Sequence, residues 1–159
     1  MNDNDPVSTE LANRRGFGDT LAGQFAPTGN KVYSTFDPKT KAGASLLIAA
    51  RLGECRQVES MVGKTILVCD YYAEEVEGHD DKGEVNRWVR LVVFDNDGTA
   101  YQCGSIGVRK SLATIAQIRG VGQLNPPVKC TVRQKRTDNK NLFMWLEPDV
   151  DDMLSGLPG

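Results

Sequence analysis

The sequence lacks the residues from which most catalytic and metal centres are built. Its one histidine, His79, lies in an acidic stretch, and its four cysteines include no Cys-x-x-Cys pair. Zinc sites take closely spaced cysteine and histidine ligands, so no metal site is expected. Nothing suggests a serine–histidine or cysteine–histidine pairing, and no phosphate-binding glycine motif is present. The sequence therefore predicts a protein that is not an enzyme and uses no cofactor.

Long hydrophobic runs are also missing. No apolar run approaches the roughly 20 residues of a membrane span, and the N-terminus has no signal-peptide pattern. Three of the cysteines, Cys69, Cys103 and Cys130, fall within predicted strands, where a free thiol behaves as a small apolar side chain. Free core thiols are typical of a reducing compartment, so we expect a soluble, cytoplasmic protein with no membrane contact.

An overall excess of positive charge is absent, since the net charge is −2. The charges are nevertheless unevenly distributed along the chain. Residues 109–140 contain eight basic side chains and one acidic one, whereas residues 70–84 contain seven acidic side chains and one lysine. Four further acidic residues lie in residues 147–159. One part of the chain can therefore bind an anion although the whole is slightly acidic.

The length of 159 residues favours one domain with tails. Residues 1–32 contain few clustered apolar side chains, which predicts a flexible N-terminal arm. Residues 149–159 are acidic and short, which predicts a flexible C-terminal tail. Such a tail could recruit replication or recombination proteins, or fold back onto a basic groove of its own chain. The domain itself is expected over residues 33–148.

The first half of this domain predicts helical structure. An apolar patch within residues 41–52 favours a helix that ends at Gly53, although a buried strand would also fit so short a run. Residues 58–61 are interpreted as a second helical turn.

From residue 64 onward, β-branched and aromatic residues dominate. Strands are predicted over residues 64–76 and on both sides of the Asn96-Asp97-Gly98 turn, with a loop over 77–84. A helix over 108–120 and strands over 128–136 and 141–147 follow. Three strands, a helix and two strands predict a mainly β protein, a five-stranded OB-fold barrel with one helix between strands three and four.

Alternate residues of a barrel strand enter the core, so each predicted strand has two faces. One face is aliphatic in the strands that contain Trp88, Arg133 and Trp145, and the other is aromatic or basic. Aromatic rings stack on bases and cations contact phosphates, so these faces indicate binding of single-stranded nucleic acid. The candidate binding residues are Tyr72, Trp88, Arg90, Phe94, Tyr101, Arg109, Lys110, Lys129, Arg133, Lys135, Arg136, Phe143 and Trp145.

Three segments resemble the single-stranded DNA-binding proteins of phages and mobile elements. They are KVYSTFDPKTKAGA, VFDNDGTAYQCGSIGVRKSL and PPVKCTVRQKRTDNKNLFMWLEPD, within residues 31–149. The resemblance implies an OB-fold that coats single-stranded DNA without sequence specificity during replication or recombination, in a bacterial cytoplasm or a phage-infected cell. It also implies an acidic tail that recruits partners, and a homo-oligomer is possible. Here the tail lacks a terminal phenylalanine, so its partner stays open.

Two other functions fit the same residues. An RNA-binding or cold-shock-like OB module would use a similar stacking surface. A protein-interaction OB domain would not bind nucleic acid at all.

Overall fold

Two long strands rich in β-branched residues form the centre of the sheet in the computed structural model, which describes residues 31–159. They are β3 (Thr65–His79) and β4 (Val85–Asp95), and they pair antiparallel. The turn between them is tight because the Asp80 carboxylate accepts the N–H groups of Lys82 and Glu84 at 2.9 and 2.8 Å. The loop predicted over 77–84 is therefore too long, since residues 77–79 still pair with β4.

The other elements surround this pair in a mainly β, curled half-barrel of OB-like form. The remaining strands are β1 (Val32–Ser34), β2 (Arg56–Gln57), β5 (Ala100–Cys103), β6 (Val128–Arg136) and β7 (Leu142–Pro148). The helices are α1 (Lys41–Leu52), a 3-10 turn (Val58–Met61), α2 (Ile106–Arg119) and α3 (Val150–Leu154). The strand order is β2-β5-β4-β3-β6-β7, with β1 paired to β3.

The five predicted strands are present, and the sheet contains two more. β1 and β2 have three and two residues, too few for a pattern of alternation to reveal them. The predicted N-terminal arm lies outside the described residues except for its last two, of which Val32 begins β1. Within residues 31–159, no helix is long and apolar enough to cross a membrane.

The core lies on the concave face of the sheet and follows the predicted alternation. Leu91 and Val93 of β4 and Val128, Cys130 and Val132 of β6 are fully buried there. Burial raises the pKa of the Cys130 thiol to about 12, so this side chain stays neutral. The aliphatic faces of these strands therefore form the core.

Helix α1 covers the opposite, convex face of β4 and β5. It spans the predicted residues: the Thr40 hydroxyl accepts the Gly43 N–H at 2.9 Å at its start, and Gly53 caps its end. Ala50 packs there with Tyr72, Val92 and Phe94 in a second, smaller apolar cluster. Both faces of this part of the sheet are consequently buried.

Helix α2 packs against the free edge of β7. Its cap residue Ser105 donates a hydrogen bond to the Met144 carbonyl at 2.9 Å, and the Leu146 N–H donates to Ser111 at 3.0 Å. A side chain at Gly107 would overlap the Met144 carbonyl oxygen, so only glycine allows this approach. The helix thereby satisfies the edge of β7 and fills the open side of the half-barrel.

The C-terminal segment differs from the flexible tail that was expected. Residues 150–154 form α3, and Met153 is buried in the main core. The Asp152 carboxylate accepts a hydrogen bond from the backbone N–H of Lys129 at 2.9 Å. The Arg119 guanidinium donates to the Asp152 backbone carbonyl at 2.8 Å. The expectation was wrong for these residues because a short acidic composition does not show that Met153 completes a core formed by distant strands and α2.

The α2–β7 contact generates a first prediction. Replacing Gly107 with alanine should lower the free energy of unfolding by about 1–3 kcal/mol, because the added methyl group forces helix and strand apart. Urea denaturation measures this change. Gly159→Ala, where an added methyl group meets nothing within 4 Å, is the control. An unchanged Gly107→Ala midpoint would show that the contact is not tight.

The docking of α3 generates a second prediction. Met153→Ala should destabilise the protein by about 2–5 kcal/mol, since it empties part of the core. Leu154→Ala, at a neighbouring side chain that is 54% exposed, should change stability little. Equal, small effects of the two substitutions in thermal or urea unfolding would mean that α3 is not anchored.

Candidate nucleic-acid interface

The outward face of the β6–β7 hairpin carries two aromatic rings and two cations. In the strand register, Phe143 lies opposite Lys135 and Trp145 lies opposite Arg133. The two ring centroids are 5.7 Å apart with the planes inclined by 32°. The Lys135 ammonium lies 5.9 Å from the Phe143 centroid and 5.7 Å from the Trp145 centroid, within cation–π range of both rings.

Helix α2 supplies the second wall of a groove beside these rings. Lys110 and Thr114 face Trp145 across a groove of about 310 Å³, with Ser111 and Pro148 also in its lining. We call this space the β7 groove; its lining comprises Gly107, Lys110, Ser111, Thr114, Lys135, Phe143, Trp145, Leu146 and Pro148. Its position depends on the Gly107 approach, because that contact sets the distance between α2 and β7.

A second groove of about 470 Å³ adjoins the first. The two share Gly107 and Phe143, and the second continues along residues 104–106 and the side chains of Leu142 and Met144. Ile106 and Leu142 are both more than half exposed in this region. Phe143 thus lines both grooves.

Trp88 lies beyond the far end of the second groove. Its indole ring packs over Gly78, and a Cβ at Gly104 would lie 3.6 Å from it. Trp88 is 43% exposed, but it lies on the same face of β4 as Val92 and Phe94 and does not line the β7 groove. Trp88 is therefore accessible for stacking at a separate position.

The cations around the groove differ in their partners. Lys110, Lys135 and Arg136 are exposed, and none of them has an ion pair among the residues that the structure describes. Arg133 is paired with Glu147, with Nε and Oε2 2.8 Å apart. Lys129 is exposed near α3, and Arg109 is half-buried on the first turns of α2. Three of the cations around the groove therefore have no ion pair with any residue of 31–159.

Comparison with known proteins decides the family. A family model described as phage single-stranded DNA-binding protein matches residues 27–147, which is most of the chain. The chain belongs to this family. No curated protein and no solved structure gives a significant match.

The family match covers every lining residue of the β7 groove except Pro148. The matched residues run from β1 into β7 and include α2, Phe143 and Trp145, whereas α3 lies beyond them. The family is DNA-binding and non-enzymatic, and its members bind single-stranded DNA. The resemblance found in the sequence is thereby confirmed.

Three residues that were predicted to stack on the bases of single-stranded DNA are buried in this family member. Tyr72 and Phe94 do point outward from the barrel, but α1 and Phe36 cover them. Tyr101 lies opposite Val93 in the register and therefore enters the main core. Burial raises the pKa of Tyr72 to about 12, so its hydroxyl stays neutral and bonds to Arg51 and Glu74.

Arg90, also predicted to contact nucleic acid, is used inside the fold. Its guanidinium donates to the Ala50 carbonyl at the end of α1, to Glu74 and to the Gln102 amide oxygen. These contacts fasten α1 to the sheet and leave little of Arg90 for a phosphate.

Sequence reasoning missed the residues that build the groove without contacting bases. Ser105, Gly107 and Ser111 stand in the GSIGVRKS segment, and their spacing places all three on the side of α2 that meets β7. The sequence offered one signal for this contact: a serine at the helix cap, then a glycine that precedes a second serine by one turn.

The burial of Phe94 generates a third prediction. Phe94→Ala should cost about 3–5 kcal/mol of stability and leave the affinity of each folded molecule for single-stranded DNA unchanged. Denaturation and fluorescence anisotropy measure the two quantities. If Phe94→Ala instead left stability unchanged and weakened binding, Phe94 would be a DNA contact and not a core residue.

Proposed function

We propose that this protein coats single-stranded DNA without sequence specificity during phage replication or recombination, and that the strand lies in the β7 groove. The observation that carries the proposal is the cluster of the half-buried Phe143 and Trp145 rings with Lys135 on one outward face, opposite Lys110 of α2. It joins two stacking surfaces to two cations within a single groove.

The chemistry of the groove supports binding that ignores sequence. Every base has a π-face, and stacking on an aromatic side chain contributes about 1–3 kcal/mol per base. Lys110 and Lys135 can neutralise phosphates, which are the same in every sequence. The proposed contacts therefore use features common to all nucleotides.

The position of α1 favours the β7 groove as the DNA site over the face that OB-folds commonly use. OB-folds commonly bind oligonucleotides across strands two and three, which correspond here to β4 and β5. In this chain α1 and the second apolar cluster occupy much of that face. The aromatic and basic side chains of the β6–β7 hairpin are left uncovered by it.

Trp88 extends the proposed path. A strand that leaves the β7 groove past Phe143 would follow the second groove to Gly104 and reach Trp88. Short oligonucleotides would then need only the β7 groove, while longer ones would also stack on Trp88. Lys129, Arg136 and Arg109 would add phosphate contacts at the margins.

The C-terminal segment stays outside the proposed path. Asp152 is engaged by Lys129 and Arg119 at the end of α2, away from Lys110 and its groove. This supports a structural role for residues 150–154 and leaves recruitment of replication proteins to the exposed side chains of α3 and the last five residues.

The aromatic pair generates a fourth prediction. Phe143→Ala and Trp145→Ala should each weaken binding of an oligo-dT by about 5- to 150-fold, the equivalent of one lost stacking contact. Fluorescence anisotropy at fixed salt measures the affinities, and matched RNA oligonucleotides test the preference for DNA. Leu52→Ala is the control, because Leu52 is 82% exposed on α1, over the face excluded by the proposal.

Normal affinity of both aromatic variants would reject the groove. Weakened binding by Leu52→Ala instead would place the strand across α1 and β4–β5.

A further inference from the structure

The ion pair between Arg133 and Glu147 distinguishes Arg133 from the other cations around the groove. Among residues 31–159, Lys110, Lys135 and Arg136 have no carboxylate within ion-pair distance, while Arg133 holds Glu147 with Nε and Oε2 2.8 Å apart. Both side chains are on the outward face of β6–β7, and Arg133 lies opposite Trp145 in the register. The Glu147 carboxylate is thus paired with the arginine that lies opposite Trp145.

The exposure of this ion pair allows a phosphate to replace the Glu147 carboxylate. Its side chains are 50% and 53% exposed, and ion pairs in such positions contribute little to stability. A phosphate oxygen offers guanidinium the same kind of charge-assisted hydrogen bond that a carboxylate offers. Replacing Glu147 by phosphate therefore costs the fold little.

Glu147 also stands where a bound strand would carry negative charge. It follows Trp145 by two residues on the same strand, so both side chains project from the same face. The phosphate next to a base stacked on Trp145 would come within reach of Arg133 and meet the Glu147 carboxylate. Binding in that register requires the carboxylate to give way.

We propose that Glu147 is an internal competitor of DNA: it occupies Arg133 in the free protein and is displaced from it by a backbone phosphate. This inference rests on the proposed function, because it assumes a strand in the β7 groove. The exchange lowers the affinity for single-stranded DNA and lets the protein dissociate more readily than its positive charge alone would allow.

Glu147→Gln tests the competition and is the fifth prediction. The substitution keeps the size of the side chain and removes its charge, so binding of an oligo-dT at low salt should tighten by about two- to tenfold. The plot of log affinity against log salt concentration should become steeper by up to about one unit, because Arg133 then binds a phosphate without leaving a carboxylate that takes up a cation in return. Anisotropy titrations over a series of salt concentrations measure both.

Two further variants separate local competition from a general change of charge. Asp151→Asn makes the same charge change on exposed α3 and should tighten binding much less. In an Arg133→Ala background, Glu147→Gln should lose most of its effect, because no guanidinium remains to be released. Thermal unfolding checks that each variant is folded.

The outcomes distinguish this inference from the proposed function. If Phe143→Ala and Trp145→Ala weaken binding but Glu147→Gln matches Asp151→Asn, the groove stands and the competition is rejected. Weaker binding by Glu147→Gln would mean that the carboxylate positions Arg133 for DNA. If Glu147→Gln raised the affinity equally in the Arg133→Ala background, Glu147 would act only by repelling the DNA at a distance. Both results overturn the proposal.

Discussion

The contact of α2 with the edge of β7 at Gly107 determines the geometry of everything beside it. Ser105 and Ser111 bond to the backbone of Met144 and Leu146, so the helix replaces the neighbouring strand that β7 lacks among the described residues. This places Lys110 and Thr114 across from Trp145 and creates the β7 groove. The same contact leaves the Phe143 and Trp145 rings partly exposed on the outward face of β6–β7, because the helix meets the strand at its edge. One close approach of backbones therefore both closes the half-barrel and opens the candidate site.

Sequence reasoning worked where one strand's own alternation was sufficient and failed where a distant segment mattered. The buried faces of β4 and β6, with Leu91, Val93, Val128, Cys130 and Val132, follow directly from their period of two. The outward aromatic face of β7 was found in the same way. Tyr72 and Phe94 were misjudged because nothing in their own strands shows that α1 packs on them. Tyr101 was misjudged because its face depends on the register across the hairpin, and α3 because the anchoring role of Met153 exists only once the core is assembled.

These contacts divide the sheet between stability and binding. On β4–β5, Arg90 and the second apolar cluster hold α1 in place, so basic and aromatic residues that seemed available for DNA serve the fold. On β6–β7, the cations are exposed and the two aromatic rings are partly exposed around a groove. The division explains how a chain with a net charge of −2 can belong to a DNA-binding family: the positive charge is concentrated where it is uncovered. Glu147 would then adjust the strength of that local charge.

The position of the strand is the central claim, and the two tryptophans allow it to be measured directly. Trp88→Phe leaves Trp145 in the groove as the single tryptophan, and Trp145→Phe leaves Trp88 on β4. Fluorescence titration of both proteins with a short oligo-dT compares the two positions. We predict saturable quenching of Trp145 and little change at Trp88, because stacking occurs in the β7 groove first. Quenching of Trp88 with unchanged Trp145 emission would contradict this account and place the DNA on the other side of the barrel.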